Sequence, residues 1–174
     1  MLSTDGPLVA VADVNGDGLT DAFIGGAKDQ PGELLLQRLD GGFVRSSADV
    51  FEEDRTSEDL GSAFFDADGD GDADLYVVSG GSEFSPHAPA LQDRLYLNNG
   101  RGDFVKTTGH LPPLTASGAA VAAADFDVVS VSLIQSANGA VLDIDALSKS
   151  ENANWVYRGA NCLAPEERSL WRPS

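Results

Sequence analysis

The sequence predicts an all-β fold assembled from repeated four-stranded antiparallel units. Two observations carry that expectation and a third supports it. The stretch Asp13-Val14-Asn15-Gly16-Asp17-Gly18-Leu19-Thr20-Asp21 recurs 53 residues later as Asp66-Ala67-Asp68-Gly69-Asp70-Gly71-Asp72-Ala73-Asp74. Both copies are flanked by short apolar runs of strand length, the second run in each case ending in a glycine pair. Residues 1–127 carry no helical periodicity.

Each element follows in order. In the first unit, Leu8 to Ala12 reads as a strand entering the aspartate ladder and Ala22-Phe23-Ile24 as the strand leaving it. Gly25-Gly26 ends that strand, Glu33 to Leu39 makes a third, and Asp40-Gly41-Gly42 turns the chain into Phe43-Val44-Arg45. The second unit repeats the plan with Ser62 to Phe65, Leu75 to Val78, Gly80-Gly81, Arg94 to Leu97, Asn98-Asn99-Gly100 and Phe104-Val105-Lys106. Four antiparallel strands per unit and a spacing of 50 to 60 residues match a propeller blade. The linkers 46–60 and 107–117 read as connections between blades.

A third unit opens at Ala119 to Ala124 and Asp125-Phe126-Asp127, but no Gly-Asp-Gly follows. The expected organisation is therefore a partial β-propeller. It has two complete blades (about 5–50 and 58–110) and an incomplete third from 116–127 onward. A divergent, irregular tail occupies 128–174. Asn138-Gly139 suits a hairpin turn within 129–145. The tail is either a capping segment or a foreign end joined to a broken repeat, and the broken repeat is the preferred reading.

Composition narrows the function. The net charge of −17 argues against nucleic acid, whose phosphates need clustered Lys and Arg. Ten aspartates sit in the two ladders and the Asp125/Asp127 pair, so much of the charge is placed rather than spread. The single Cys162 cannot form an internal disulfide and has no visible activating base. No apolar run approaches the roughly 18 residues of a membrane span.

Oxygen ligands at every second position, separated by glycines, let a short loop wrap a hard cation. Calcium takes six to eight oxygens in flexible geometry, whereas magnesium demands a near-octahedral shell and retains waters. The candidate ligands of the first loop are Asp13, Asn15, Asp17 and Asp21, with the carbonyl of Leu19. Those of the second are Asp66, Asp68, Asp70 and Asp74, with the carbonyl of Asp72. Four carboxylates against three predict tighter binding in the second loop. An EF-hand would need a glutamate at the twelfth position, where Ile24 and Val77 stand inside strands. A solvated Asp/Gly turn without metal is the plain alternative, and it prevails at Asp125 and Asp127.

The ladders, their strand flanks and the Leu95-Tyr96-Leu97-Asn98-Asn99-Gly100-Arg101-Gly102-Asp103-Phe104 turn resemble FG-GAP/VCBS repeats over about residues 5–127. These are the calcium-binding blades of integrin-α-like propellers. Asp66 to Gly81 is further similar to bacterial relatives of cartilage acidic protein. The resemblance implies two calcium sites on the residues named above and an exported, non-enzymatic module for adhesion or ligand binding. Its location would be extracellular, cell-surface or periplasmic, and its partner a protein or glycan met by a longer propeller. A ring needs about four to eight blades, so the chain reads as part of a longer protein or of an assembly. The alternatives are a non-catalytic stretch of a propeller polysaccharide lyase or hydrolase, and a truncated remnant.

Other features have bland readings. Arg101-Gly102-Asp103 forms an integrin-type tripeptide, but its residues suit a hairpin tip. His87 and His110 lack metal-ligand spacing, and Ser79-Gly80-Gly81-Ser82 is not a nucleophile elbow. Phe64, Phe65, Tyr76, Tyr96 and Phe104 read as packing residues rather than a sugar platform.

Overall fold

A computed structural model describes residues 8–46, 48–113, 115–125 and 154–159. The first sheet contains β1 (Val9–Ala12), β2 (Asp21–Ile24), β3 (Glu33–Gln37) and β4 (Phe43–Ser46), antiparallel and in chain order. The second repeats that plan with β5 (Asp59–Phe65), β6 (Asp74–Ser79), β7 (Arg94–Asn98) and β8 (Phe104–Lys106). All eight strands fall where the alternation predicts. The largest displacement is at β5, which begins at Asp59 rather than Ser62. Asp59 and Gly61 resemble loop residues, yet the strand needs the glycine: a Cβ there would lie 3.3 Å from the backbone of Ala120.

Register explains the layering. Ala10 pairs with Phe23 and Phe23 with Leu34, so these three share one face of the first sheet. That face packs on Leu75, Val77, Tyr96 and Phe104 of the second sheet in one buried cluster. Phe51 wedges between them, its ring centroid 5.1 Å from Phe23 and 5.1 Å from Tyr96. Its carrier is a short helix, α1 (Ala48–Glu52), inside the segment the sequence predicts as a plain connection. Five residues are too few to display a helical period, and the docked phenylalanine holds the turn instead.

The other face of the second sheet buries Tyr76, Val78 and Leu95 against partly buried Phe65, Leu97 and Val121. Every residue of β6 is consequently buried. The outer face of the first sheet has no such cover among the described residues: Val9 is 57% and Val11 60% exposed.

Val121 belongs to β9 (Ala120–Asp125), the predicted opening strand of a third unit. It pairs antiparallel with β10 (Asn154–Gly159). The irregular tail expected from 128 onward thus contributes a strand, and Trp155-Val156-Tyr157 are β-favouring residue types. Asp127, the hairpin expected over 129–145 and Cys162 lie outside the described residues. The architecture is all-β, with two four-stranded sheets and a two-stranded third. Among the described residues no helix is long and apolar enough to cross a membrane.

Candidate metal centre

Each aspartate ladder is a loop between the first and second strands of its sheet. Asp66 follows the last residue of β5, and Asp74 is the first of β6. In between, carboxylates take up backbone amides that no strand can satisfy. Asp66 accepts from Gly69 N–H at 2.7 Å and from Gly71 N–H at 3.0 Å. Asp68 accepts from Asp70 N–H at 3.2 Å, and Asp70 from Asp72 N–H at 2.9 Å. Gly69 and Gly71 adopt φ of +86° and +92°, the left-handed region that a side chain resists.

Asp74 closes the loop from the interior. It is fully buried, with Oδ2 accepting from Ala67 N–H at 2.7 Å and Oδ1 from Asn98 N–H at 2.8 Å. One oxygen from each of Asp66, Asp68 and Asp74 lies within 4.8 Å of the others. Two oxygens on opposite sides of a calcium ion, each about 2.4 Å away, stand about 4.8 Å apart. The trio can therefore hold a metal ion. Burial pushes the Asp74 carboxyl up to about 6, helped by the charges of Asp68 and Asp70 and opposed by its two amide bonds. Asp68 is raised as well, by partial loss of water first, with repulsion from Asp70 and Asp66 added.

The first loop has nearly the same wiring. Asp13 accepts from Gly16 N–H at 2.8 Å and Gly18 N–H at 2.7 Å. Asn15 accepts from Asp17 N–H at 3.0 Å, and Asp17 from Leu19 N–H at 2.8 Å. Asp21, fully buried, accepts from Val14 N–H at 3.0 Å and Gln37 N–H at 2.8 Å. The difference lies in charge. Asn15 occupies the rung that Asp68 fills, and its amide donates to Asp17 at 3.1 Å. Among the described residues only the second ladder brings three carboxylates together.

The remaining predicted ligands take lesser places. Asp70 lies outside the trio but presses on Asp68 by its charge. The Asp72 side chain turns toward the Asn99-Gly100 turn, where a Cβ on Gly100 would come 2.7 Å from its carboxylate oxygens. Asp125 is the last residue of β9, whereas Asp13 and Asp66 directly follow β1 and β5.

Three polar networks escaped sequence reasoning. Arg94 is buried and pairs with Asp59, also donating to Ser79 Oγ at 3.0 Å. Burial opposes its charge, but the Asp59 carboxylate outweighs that and raises it above the usual guanidinium value. Tyr96 donates to Asp54, as does Lys106, across 42 and 52 residues of chain. Asn98, within a stretch that reads as a turn, joins the two sheets. It donates to the carbonyl of Val14 at 2.7 Å. Only Tyr96 and Asn98 carried a signal, since the Leu95 to Phe104 motif contains them.

Of the tripeptide Arg101-Gly102-Asp103 only the glycine is part of this packing; Arg101 and Asp103 are exposed. Gly102 is buried and a Cβ there would meet Leu36 and Val14. Its carbonyl accepts from Ser46 Oγ at 3.4 Å.

Repeated sheets, a glycine-studded aspartate loop at the same corner of each, and a converging carboxylate trio define an all-β repeat module with a candidate cation site. Comparison with known families agrees. Residues 13–77 match the FG-GAP-like repeat, from the first aspartate of one ladder to the strand beyond the second. The match is consistent with an FG-GAP repeat protein. No curated protein matches the chain.

Proposed function

We propose that this chain is a non-enzymatic calcium-binding propeller module serving adhesion or ligand binding outside the cytoplasm. The observation that carries the reading is the Asp66, Asp68 and Asp74 trio within 4.8 Å. Its residues fit the ion. Hard oxygen donors converge at calcium dimensions, and their backbone amide bonds fix them before any metal arrives. Asp70 and the Asp72 carbonyl would complete the second site. Asp13, Asn15, Asp17, Asp21 and the Leu19 carbonyl would form a weaker first site. Calcium supplies positive charge to a corner where carboxylates otherwise repel one another, so its role is structural rigidity.

Support for a surface module comes from the FG-GAP-like match and from the acidic chain, whose net charge is −17. The test is calorimetric titration of the whole chain with calcium, followed by thermal melts with calcium and with chelator. Calcium at a hundred times its dissociation constant adds about 2.7 kcal/mol of stability, seen as a rise of several degrees in melting temperature. Identical melts and no heat of binding would discard the calcium reading.

A further inference from the structure

We infer that Asn98 couples the two aspartate loops, so that filling the second with calcium orders the first; this rests on the calcium reading above. Asn98 is 6% exposed and belongs to the end of β7, between the loops. Its backbone N–H donates to Oδ1 of Asp74 at 2.8 Å. Its side-chain amide donates to the carbonyl of Val14 at 2.7 Å, and Val14 N–H donates to Oδ2 of Asp21 at 3.0 Å. Two hydrogen-bonded residues therefore connect the buried carboxylate of one loop to that of the other.

The side chain has no spare capacity. Its second amide hydrogen serves the carbonyl of Ala73 at 3.1 Å, in the second loop. Its oxygen accepts from Asn99 N–H at 2.9 Å and Gly102 N–H at 3.2 Å. Two donors facing carbonyls and one oxygen facing amides are the complete inventory of an asparagine. Aspartate would lose both donors, and no smaller residue makes all four bonds. Gln37 shows what this position does without a neighbouring loop to reach. Its N–H donates to Asp21 as Asn98 donates to Asp74, but its side chain turns back to Thr20 of its own loop.

Calcium in the second loop holds Asp74 and Ala73, and hence both anchors of Asn98. An ordered Asn98 in turn holds the Val14 peptide, so the first loop has less freedom left to lose when it binds. Asn98 is a positioning residue and touches no metal in this scheme.

The test uses the full chain with Asp17→Ala, which disables the first loop through an exposed residue and leaves the connecting bonds intact. Calcium is added and amide hydrogen exchange is followed by NMR at Ala67, Asn98 and Val14. The expected result is slower exchange at all three, by roughly fivefold or more at Val14. With Asn98→Ala added, protection at Ala67 remains and protection at Val14 is lost. Protection at Ala67 and Asn98 with none at Val14 would overturn the coupling while sparing the calcium reading. Absence of binding heat and of any protection would end both. Should Asn98→Ala not fold, the arm with Asn98 intact decides alone.

Discussion

Asn15 and Asp68 stand on the same rung of two loops whose hydrogen bonds otherwise match nearly bond for bond. In the first loop the rung is a neutral amide tied to Asp17; in the second it is a carboxylate facing Asp66 and Asp74. The backbone geometry of such a loop is thus set by glycine positions and carboxylate-to-amide bonds. Its electrostatic demand for a cation is set separately by how many rungs are charged. The sheets differ in a parallel way. Among the described residues the second is covered on both faces, while the first is covered on one.

The covered and uncovered faces give the largest predicted contrast. Phe51→Ala removes the ring that fills the seam between sheets and is expected to destabilise the protein by about 3–5 kcal/mol. Val9→Ala, on the outer face, is expected to change stability by no more than about 0.5 kcal/mol. Equilibrium urea unfolding of both variants measures the difference. Similar losses would mean that the outer face of the first sheet is buried in solution, and the contrast between sheets would collapse.

Legibility followed the same division. Local rules fixed the strands: short apolar runs bounded by glycines and aspartate ladders marked β1 to β9. The loops and their repeated carboxylate rungs were legible because residue spacing within one loop determines them. Phe51 was not, since a five-residue helix has no period and the ring's partners lie on β2 and β7. Asp59 was read as linker because the guanidinium that justifies its burial is 35 residues away. Asn98 was read as a turn former because its key acceptor, Val14, is 84 residues distant. The unequal convergence of the two carboxylate sets was only half visible: charge count announced it, but Asp21 and Asp74 are equally buried, so only the folded loop shows which three carboxylates meet.

That burial yields a pH dependence of intermediate size. The Asp74 carboxyl rises from an ordinary 3.8 to about 6 in the metal-free fold. A raised value means the folded state holds the proton more firmly than the unfolded chain. The associated stability is fully present below about pH 4 and is lost as pH climbs through 6. Its size is on the order of 2–3 kcal/mol. Chelated wild type is expected to melt at lower temperature at pH 7 than at pH 4.5, and Asp74→Asn to flatten the part due to this group. Calcium reverses the sign, because the ion needs the carboxylate ionised and binds better as pH rises. A chelated melt curve with the same pH slope in wild type and Asp74→Asn would remove Asp74 as the source of strain.

The smallest effect tests the comparison most directly, because it exchanges the two rungs. Asn15→Asp gives the first loop the charge of the second, and Asp68→Asn does the reverse. Neither change disturbs the shared bonding plan, since Asn15 and Asp68 each accept one amide, from Asp17 and Asp70 respectively, through a side-chain oxygen that both residue types possess. One added charge a few ångströms from a doubly charged ion in a largely solvated loop contributes about 2 kcal/mol, or roughly thirtyfold in dissociation constant. Calorimetry should show the first site tightening in Asn15→Asp and the second weakening in Asp68→Asn, each by that factor. The double exchange should invert the order of the two sites. Melting without calcium should move the opposite way, down for Asn15→Asp and up for Asp68→Asn, because the added carboxylate repels its neighbours when no ion is present. If the affinities stay fixed while the metal-free melts shift, then the charge count does not set the difference between the loops.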